Sequence, residues 1–176
     1  MIGGELVVRI RNDLSELERI AGVIEQFGVE HGLPSKAVFE INLALDEVLT
    51  NVISYAYADG GPHEIEVRLS IPDETRTSTG WSEEPALERD EVTAPRRERE
   101  TALAQVHWQE VTVEVSDDGR PFDPLTVAPA DLDQALEERS IGGLGVHFVR
   151  RVMDRLEYRR DAGRNVLTMH KRARAA

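Results

Sequence analysis

Apolar residues alternate with polar ones in some stretches and recur at helical spacing in others, in the order βααββαββ, which predicts an α+β fold. The expected architecture is a two-layer α/β sandwich. It has a mixed, mostly antiparallel sheet with helices on one face, because strands and helices in this order bury their apolar sides against each other. At 176 residues the chain can build one such core and is too short for two comfortable ones, so 1–176 reads as a single domain.

Leu6, Val8 and Ile10 alternate with Glu5, Val7 and Arg9 and give a short edge-type strand. Asp13, with Glu16 three residues later, makes a capping-box-like helix start. Leu14, Leu17, Ile20, Ile24 and Phe27 follow at helical spacing, and Gly28 or Gly32 can end that helix. Pro34 and Ser35 open a longer helix, whose apolar face is Val38, Ile41, Leu45, Val48, Leu49 and Val52 and which runs to about Tyr55. Strand alternation returns at 64–71, through Ile65, Val67, Leu69 and Ile71, and at 110–115, through Val111, Val113 and Val115. Between them, about 72–107 carries Pro85, Pro95, many Glu and Arg and few branched apolar residues. It is expected to be an atypical, flexible insertion in a hairpin loop, with 96–106 as a candidate short helix. After Asp117-Asp118-Gly119-Arg120-Pro121 comes a polar loop with Pro124 and Pro129. Gly142-Gly143-Leu144-Gly145 then leads into a helix bearing Val146, Val149, Val152 and Met153. Strands at 155–160 and 165–170 close the chain, with Asp161-Ala162-Gly163 as their turn.

Composition narrows the function classes. A net charge of -12 argues against a broad electrostatic grip on nucleic acid, which needs clustered Lys and Arg. Arg150, Arg151, Arg155, Arg159 and Arg160 form a local basic run, for which a solvated helix face is the plain reading. Cysteine is absent, which removes disulfides, thiolate metal sites and cysteine nucleophiles together. Met1 to Arg11 carries charges and is expected not to be a secretory signal, and no stretch approaches ~20 apolar residues, so no membrane span and a cytoplasmic location are expected.

Three elements can carry chemistry. Glu47 and Asn51, four apart on the second helix, point the same way at the edge of its buried face. A carboxylate there can take a proton, and an amide oxygen can ligate Mg²⁺, yet such a pair alone is usually a solvated helix surface. Asp117 ends a strand just before Gly119. A carboxylate there can accept an exocyclic amine, and a glycine lets a base approach the backbone, though Asp-Asp-Gly is also an ordinary turn. Gly142, Gly143 and Gly145 open a helix whose free N–H groups attract phosphate, without the Lys-Ser/Thr of a P-loop.

In combination the three are far more specific. Leu45-Asp46-Glu47-Val48-Leu49-Thr50-Asn51-Val52-Ile53-Ser54-Tyr55-Ala56-Tyr57 resembles the N box of GHKL ATPases. The run Val115-Ser116-Asp117-Asp118-Gly119-Arg120-Pro121-Phe122-Asp123-Pro124 resembles their first glycine box, in the form used by anti-sigma-factor serine/threonine kinases. The lid end and second glycine box are resembled by Glu138-Arg139-Ser140-Ile141-Gly142-Gly143-Leu144-Gly145-Val146. Tyr55 stands where many relatives carry His, and the 72–107 insertion has no counterpart in the family pattern.

The resemblance implies the GHKL (Bergerat) ATP-binding fold with ATP and Mg²⁺ as cofactors. It implies Glu47 as the general base, Asn51 as the Mg²⁺ ligand, Asp117 as the adenine acceptor and Gly119 beneath the base. Arg139 is implied at the γ-phosphate, and Gly142, Gly143, Leu144 and Gly145 around the phosphates, at the end of a lid running from about Arg120 to Gly142. Thr168 is a further candidate for the adenine pocket, and its alternative role is that of an ordinary strand residue. By the same resemblance the partners are a sigma factor and a STAS-domain anti-sigma-factor antagonist phosphorylated on serine, and the chain forms a homodimer. The alternative is a non-catalytic, ATP-gated protein-binding module of the same fold.

Overall fold

The computed structural model describes residues 3–73, 108–126 and 143–174. Most of the expected insertion, 74–107, and the stretch 127–142 with Arg139 and Gly142 lie outside the described residues. The elements run β1 (Gly4–Arg11), α1 (Glu16–Glu30), α2 (Ser35–Tyr55), β2 (Glu64–Ile71), β3 (Trp108–Asp117), a 3₁₀ turn (Pro124–Thr126), α3 (Gly143–Val152), β4 (Arg155–Asp161) and β5 (Arg164–Arg174).

The fold is α+β, with the strands in the order β1-β2-β3-β5-β4 and every neighbouring pair antiparallel. The expected mixed sheet is therefore corrected to an antiparallel one. β3 and β4 do run the same way, joined across α3, but β5 turns back and pairs between them, so no parallel strands become neighbours among the described residues. That return is made at Ala162-Gly163, both with positive φ (46° and 84°), the backbone twist that two-residue hairpins favour.

The inward faces of the strands carry Val8, Ile10, Ile65, Val67, Leu69, Val111, Val113, Val115, Leu167 and Met169. Against them pack Ile20, Ile24 and Phe27 of α1, Ile41, Leu45 and Leu49 of α2, and Val149 of α3. Each fully buried side chain of this size contributes about 1.5–3 kcal/mol relative to exposure. Gly28 sits inside α1, where a Cβ would collide with Val38 and push α2 away, and it is Gly32, with φ of 63°, that lies past the helix end. The opposite sheet face is largely polar, with ion pairs such as Arg9–Glu66, Arg68–Glu5 and Arg159–Glu114, although Val166 and Thr168 are buried on it.

Two expectations about element ends change. α1 begins at Glu16, because the Asp13 carboxylate accepts the Ser15 N–H at 2.9 Å as a turn and Glu16 pairs with Arg19; Leu14 is left exposed. β3 and β5 both outrun the expected strands, since their ladder continues to the Trp108–Arg174 pair. On that extension Lys171 turns inward: Nζ donates to the Val152 carbonyl (2.6 Å) and meets Glu40 Oε2 at 2.7 Å. A cation there satisfies an open carbonyl at the C-terminal end of α3 and ties that end to α2. The opposite end of α3 is the one that faces the site.

Candidate functional site

Glu47 and Asn51 lie on the side of α2 that meets the start of α3, and both are half-buried. A Cβ placed on Gly145 would collide with Glu47 Oε2 and stand 3.4 Å from Asn51 Nδ2. The helix α3 starts at Gly143, so Gly143, Leu144 and Gly145 form its first turn and do not precede it as a loop. First-turn N–H groups have no partner within the helix and concentrate positive potential. A carboxylate, an amide and the open N-terminal end of a helix thus share one space, kept clear because residue 145 has no side chain.

The second part lies at the end of β3. Asp117 is 3% exposed, and its Oδ1 accepts the Gly119 N–H (2.8 Å) and Asn165 Nδ2 (2.9 Å). Gly119 has no room for a side chain: a Cβ would lie 2.5 Å from Ala56 Cβ and 2.9 Å from the Ala56 carbonyl. That carbonyl, at the end of α2, accepts the Arg120 N–H at 3.0 Å. The turn is thereby fastened to the same helix that carries Glu47 and Asn51.

Tyr57 and His63 brace the turn from beneath. Their rings stack at 4.0 Å between centroids and 15° between planes. His63 Nε2 meets Asp59 Oδ1 at 2.9 Å and Nδ1 meets Asp118 Oδ1 at 3.1 Å, so a doubly protonated ring satisfies both carboxylates. The hydrogen bond to Asp59 foremost, with that to Asp118, raises the His63 pKa against a smaller loss from burial. Burial, and after it the charges of Asp117 and Asp118, pushes the Tyr57 phenol well above its ordinary value. Its hydroxyl is buried with no partner among the described residues.

Of the expected site residues, Glu47, Asn51, Asp117, Gly119 and Gly145 line this one region, with Gly143 and Leu144 in the backbone of α3; Arg139 and Gly142 lie outside the described residues. Thr168 is not brought in. It pairs with Glu114 on the other sheet face, its hydroxyl 3.5 Å from Glu114 Oε2. The reason is strand parity: Asn165 faces Asp117, and a residue three places further along must point the opposite way. Asn165 occupies the place expected of Thr168, and the sequence reading missed it, as it missed Tyr57 and His63. Pairing the 165–170 strand with the strand ending at Asp117 would have been the signal. The basic run divides too. Arg150 on α3 donates to the carbonyls of Leu125 (2.6 Å) and Pro124 (3.4 Å), while Arg155, Arg159 and Arg160 are on β4, so no single helix face holds it.

An open antiparallel sheet is thus covered on one face by helices, with an acidic turn and a glycine-opened helix each set against α2. The chain belongs to the histidine kinase-like ATPase domain family, which it matches over residues 10–171. It is 24% identical over 146 residues to the serine/threonine-protein kinase BtrW of Bordetella bronchiseptica, covering 83% of this chain and 78% of that one. Its fold is similar to the structure of the RsbU and RsbW domains of Rv1364c from Mycobacterium tuberculosis, with a TM-score of 0.51 and 12% identity. That likeness spans 97% of this chain and about a third (32%) of the longer one. A histidine kinase domain from Erythrobacter litoralis EL346 is also similar, at a TM-score of 0.44 and 19% identity over 90% of this chain and 59% of that one. No described helix is long and apolar enough to cross a membrane.

Proposed function

We propose that this chain is a Mg-ATP-dependent serine/threonine kinase of the anti-sigma-factor type, which sequesters a sigma factor and phosphorylates a serine on a STAS-domain antagonist. The observation that carries the reading is the convergence of Glu47, Asn51 and the first turn of α3 at Gly145. The similarity to a serine/threonine-protein kinase over most of both chains supports it.

In this reading Asp117 accepts the exocyclic amine of adenine through Oδ2, since the bonds from described residues end on Oδ1. Gly119, packed on Ala56 where a side chain would stand, holds the turn beneath the base. The first-turn N–H groups of α3 hold the phosphates, and Arg139, Gly142, Gly143 and Leu144 join them. Asn51 would offer Mg²⁺ an amide oxygen, a neutral ligand that adds no negative charge beside a triphosphate. Magnesium, when bound, would neutralise charge on the transferring phosphoryl. Glu47 takes the proton from the attacking serine hydroxyl as its oxygen bonds to the γ-phosphorus and the bond to the ADP oxygen breaks. The positive end of α3 favours the charge that builds on the phosphoryl oxygens.

Affinity capture of partners with and without Mg-ATP, followed by mass spectrometry of partners and phosphosites, tests the proposal. Recovery of a sigma factor and a serine-phosphorylated antagonist is expected. Capture of partners that acquire no phosphate would instead make the chain an ATP-gated binding module.

A further inference from the structure

The side chain facing Asp117 across the sheet is Asn165, and its surroundings give it a defined task. It is 6% exposed and is the register partner of Asp117 between β3 and β5. Its Nδ2 donates to Asp117 Oδ1 at 2.9 Å and to the Arg120 carbonyl at 3.0 Å. Its Oδ1 accepts from Arg160 Nη1 (2.6 Å), from the Tyr158 hydroxyl (2.9 Å) and, more weakly, from the Phe122 N–H (3.4 Å). The amide cannot turn over: a flip would set its NH₂ against the Arg160 and Phe122 donors and its oxygen against two acceptors.

A carboxylate on its own rotates broadly about its last torsion. Asp117 is denied that freedom, because the Gly119 N–H and the Asn165 amide meet on the same oxygen from two directions. From these contacts we infer that Asn165 is a positioning residue for nucleobase selectivity. It fixes the plane of the Asp117 carboxylate so that Oδ2 is the oxygen presented to the base, and through the Arg120 carbonyl it fixes the turn beneath. Tyr158 and Arg160 of β4 hold Asn165 in turn, and Arg160 also donates to the Gly119 carbonyl at 2.9 Å. The orientation of the base acceptor is thus set by the β4–β5 hairpin, which need not touch nucleotide at all. The inference rests on the reading of Asp117 as the adenine acceptor.

The test compares Mg-ATP and Mg-GTP affinity by calorimetry for the wild type, Asn165→Ala and Arg160→Ala, with a thermal melt of each. GTP presents a carbonyl where ATP presents the amine, so the ratio of the two affinities reads the aim of Asp117 directly. Asn165→Ala is expected to weaken ATP about tenfold while GTP stays within about twofold, the loss of one charge-assisted orienting bond. Arg160 is exposed enough to be replaced without threatening the fold, and Arg160→Ala is expected to shift the ratio the same way by roughly two- to threefold, since Arg160 acts on Asp117 only through Asn165. An unchanged ratio beside a lowered melting temperature makes Asn165 a structural residue only and overturns the inference. Should Asn165→Ala fail to fold, an unchanged ratio in Arg160→Ala overturns it equally. A wild type that binds ATP no better than GTP removes the Asp117 reading itself. A selective wild type with equally selective variants removes the Asn165 role alone.

Discussion

The carboxylate of Glu47 and the backbone of Gly145 adjoin so closely that a methyl group on Gly145 would overlap Glu47 Oε2 and stand 3.3 Å from its Cδ. The atom displaced is the far end of a flexible side chain, so Gly145→Ala leaves the fold intact. Glycine-to-alanine inside a helix ordinarily stabilises by roughly 0.5–1 kcal/mol. The variant is therefore expected to melt no lower than the wild type, yet to lose phosphotransfer by about 10²-fold, the scale of a 1 Å misplacement in a catalytic site. A melt and a transfer assay on the same preparation check it, and retained transfer would mean that Glu47 is not held where the reaction needs it.

Asp117→Asn separates the two carboxylate oxygens. Asparagine keeps the acceptor for Gly119 and Asn165 but sets an NH₂ where Oδ2 is proposed to meet the base, so the turn should stay and the proposed adenine contact be lost. ATP affinity should fall by about tenfold to a hundredfold, or roughly 1.5–3 kcal/mol for a bond to a charged group. Calorimetry on the folded variant giving wild-type affinity would remove Asp117 from the nucleobase.

The clamp of His63 between Asp59 and Asp118 makes the turn sensitive to pH. The folded ring has a pKa raised above 6.5, chiefly through Asp59, so its contribution is complete below about 6.5, the value of a free imidazole, and is lost as pH rises through the folded value. Asp59 is depressed by the same bond, so its share persists until the solution reaches the acid range. Wild type and His63→Gln should therefore differ in melting temperature at pH 6 and converge as pH is raised toward 9. A difference that is independent of pH would show that the ring is held by stacking on Tyr57 alone.

How much of this was legible follows from where each signal lies. β2 alternates strictly, and its bounds from Glu64 to Ile71 are those the pattern predicts. β5 extends to Arg174 unannounced, because Lys171 is a half-buried strand residue that bonds the Val152 carbonyl and Glu40, and no hydrophobic period marks it. Glu47, Asn51, Asp117, Gly119 and Gly145 were found together since each stands in a local run with its own signature. Asn165 and His63 act through partners 48 and 55 residues away, and only the sheet register and the fold of the α2–β2 connection bring those partners near. Thr168 failed for the converse reason: its residue type suited the pocket, while its parity along β5 did not.

In the proposed reaction Glu47 does chemistry and Asn51 holds the metal-bound nucleotide, one helical turn apart on α2. Asn51 would be felt when Mg-ATP binds, Glu47 mainly as the serine hydroxyl attacks. Single-turnover transfer of labelled phosphate to the captured antagonist, measured beside Mg-ATP affinity, separates them. Glu47→Ala is expected to slow transfer by about 10²–10⁴-fold with affinity nearly unchanged, the loss of a positioned general base. Asn51→Ala is expected to weaken Mg-ATP binding itself. Equal transfer rates in Glu47→Ala and the wild type would contradict Glu47 as the general base, and a wild type that transfers no phosphate would leave a nucleotide-gated binding domain in place of the kinase.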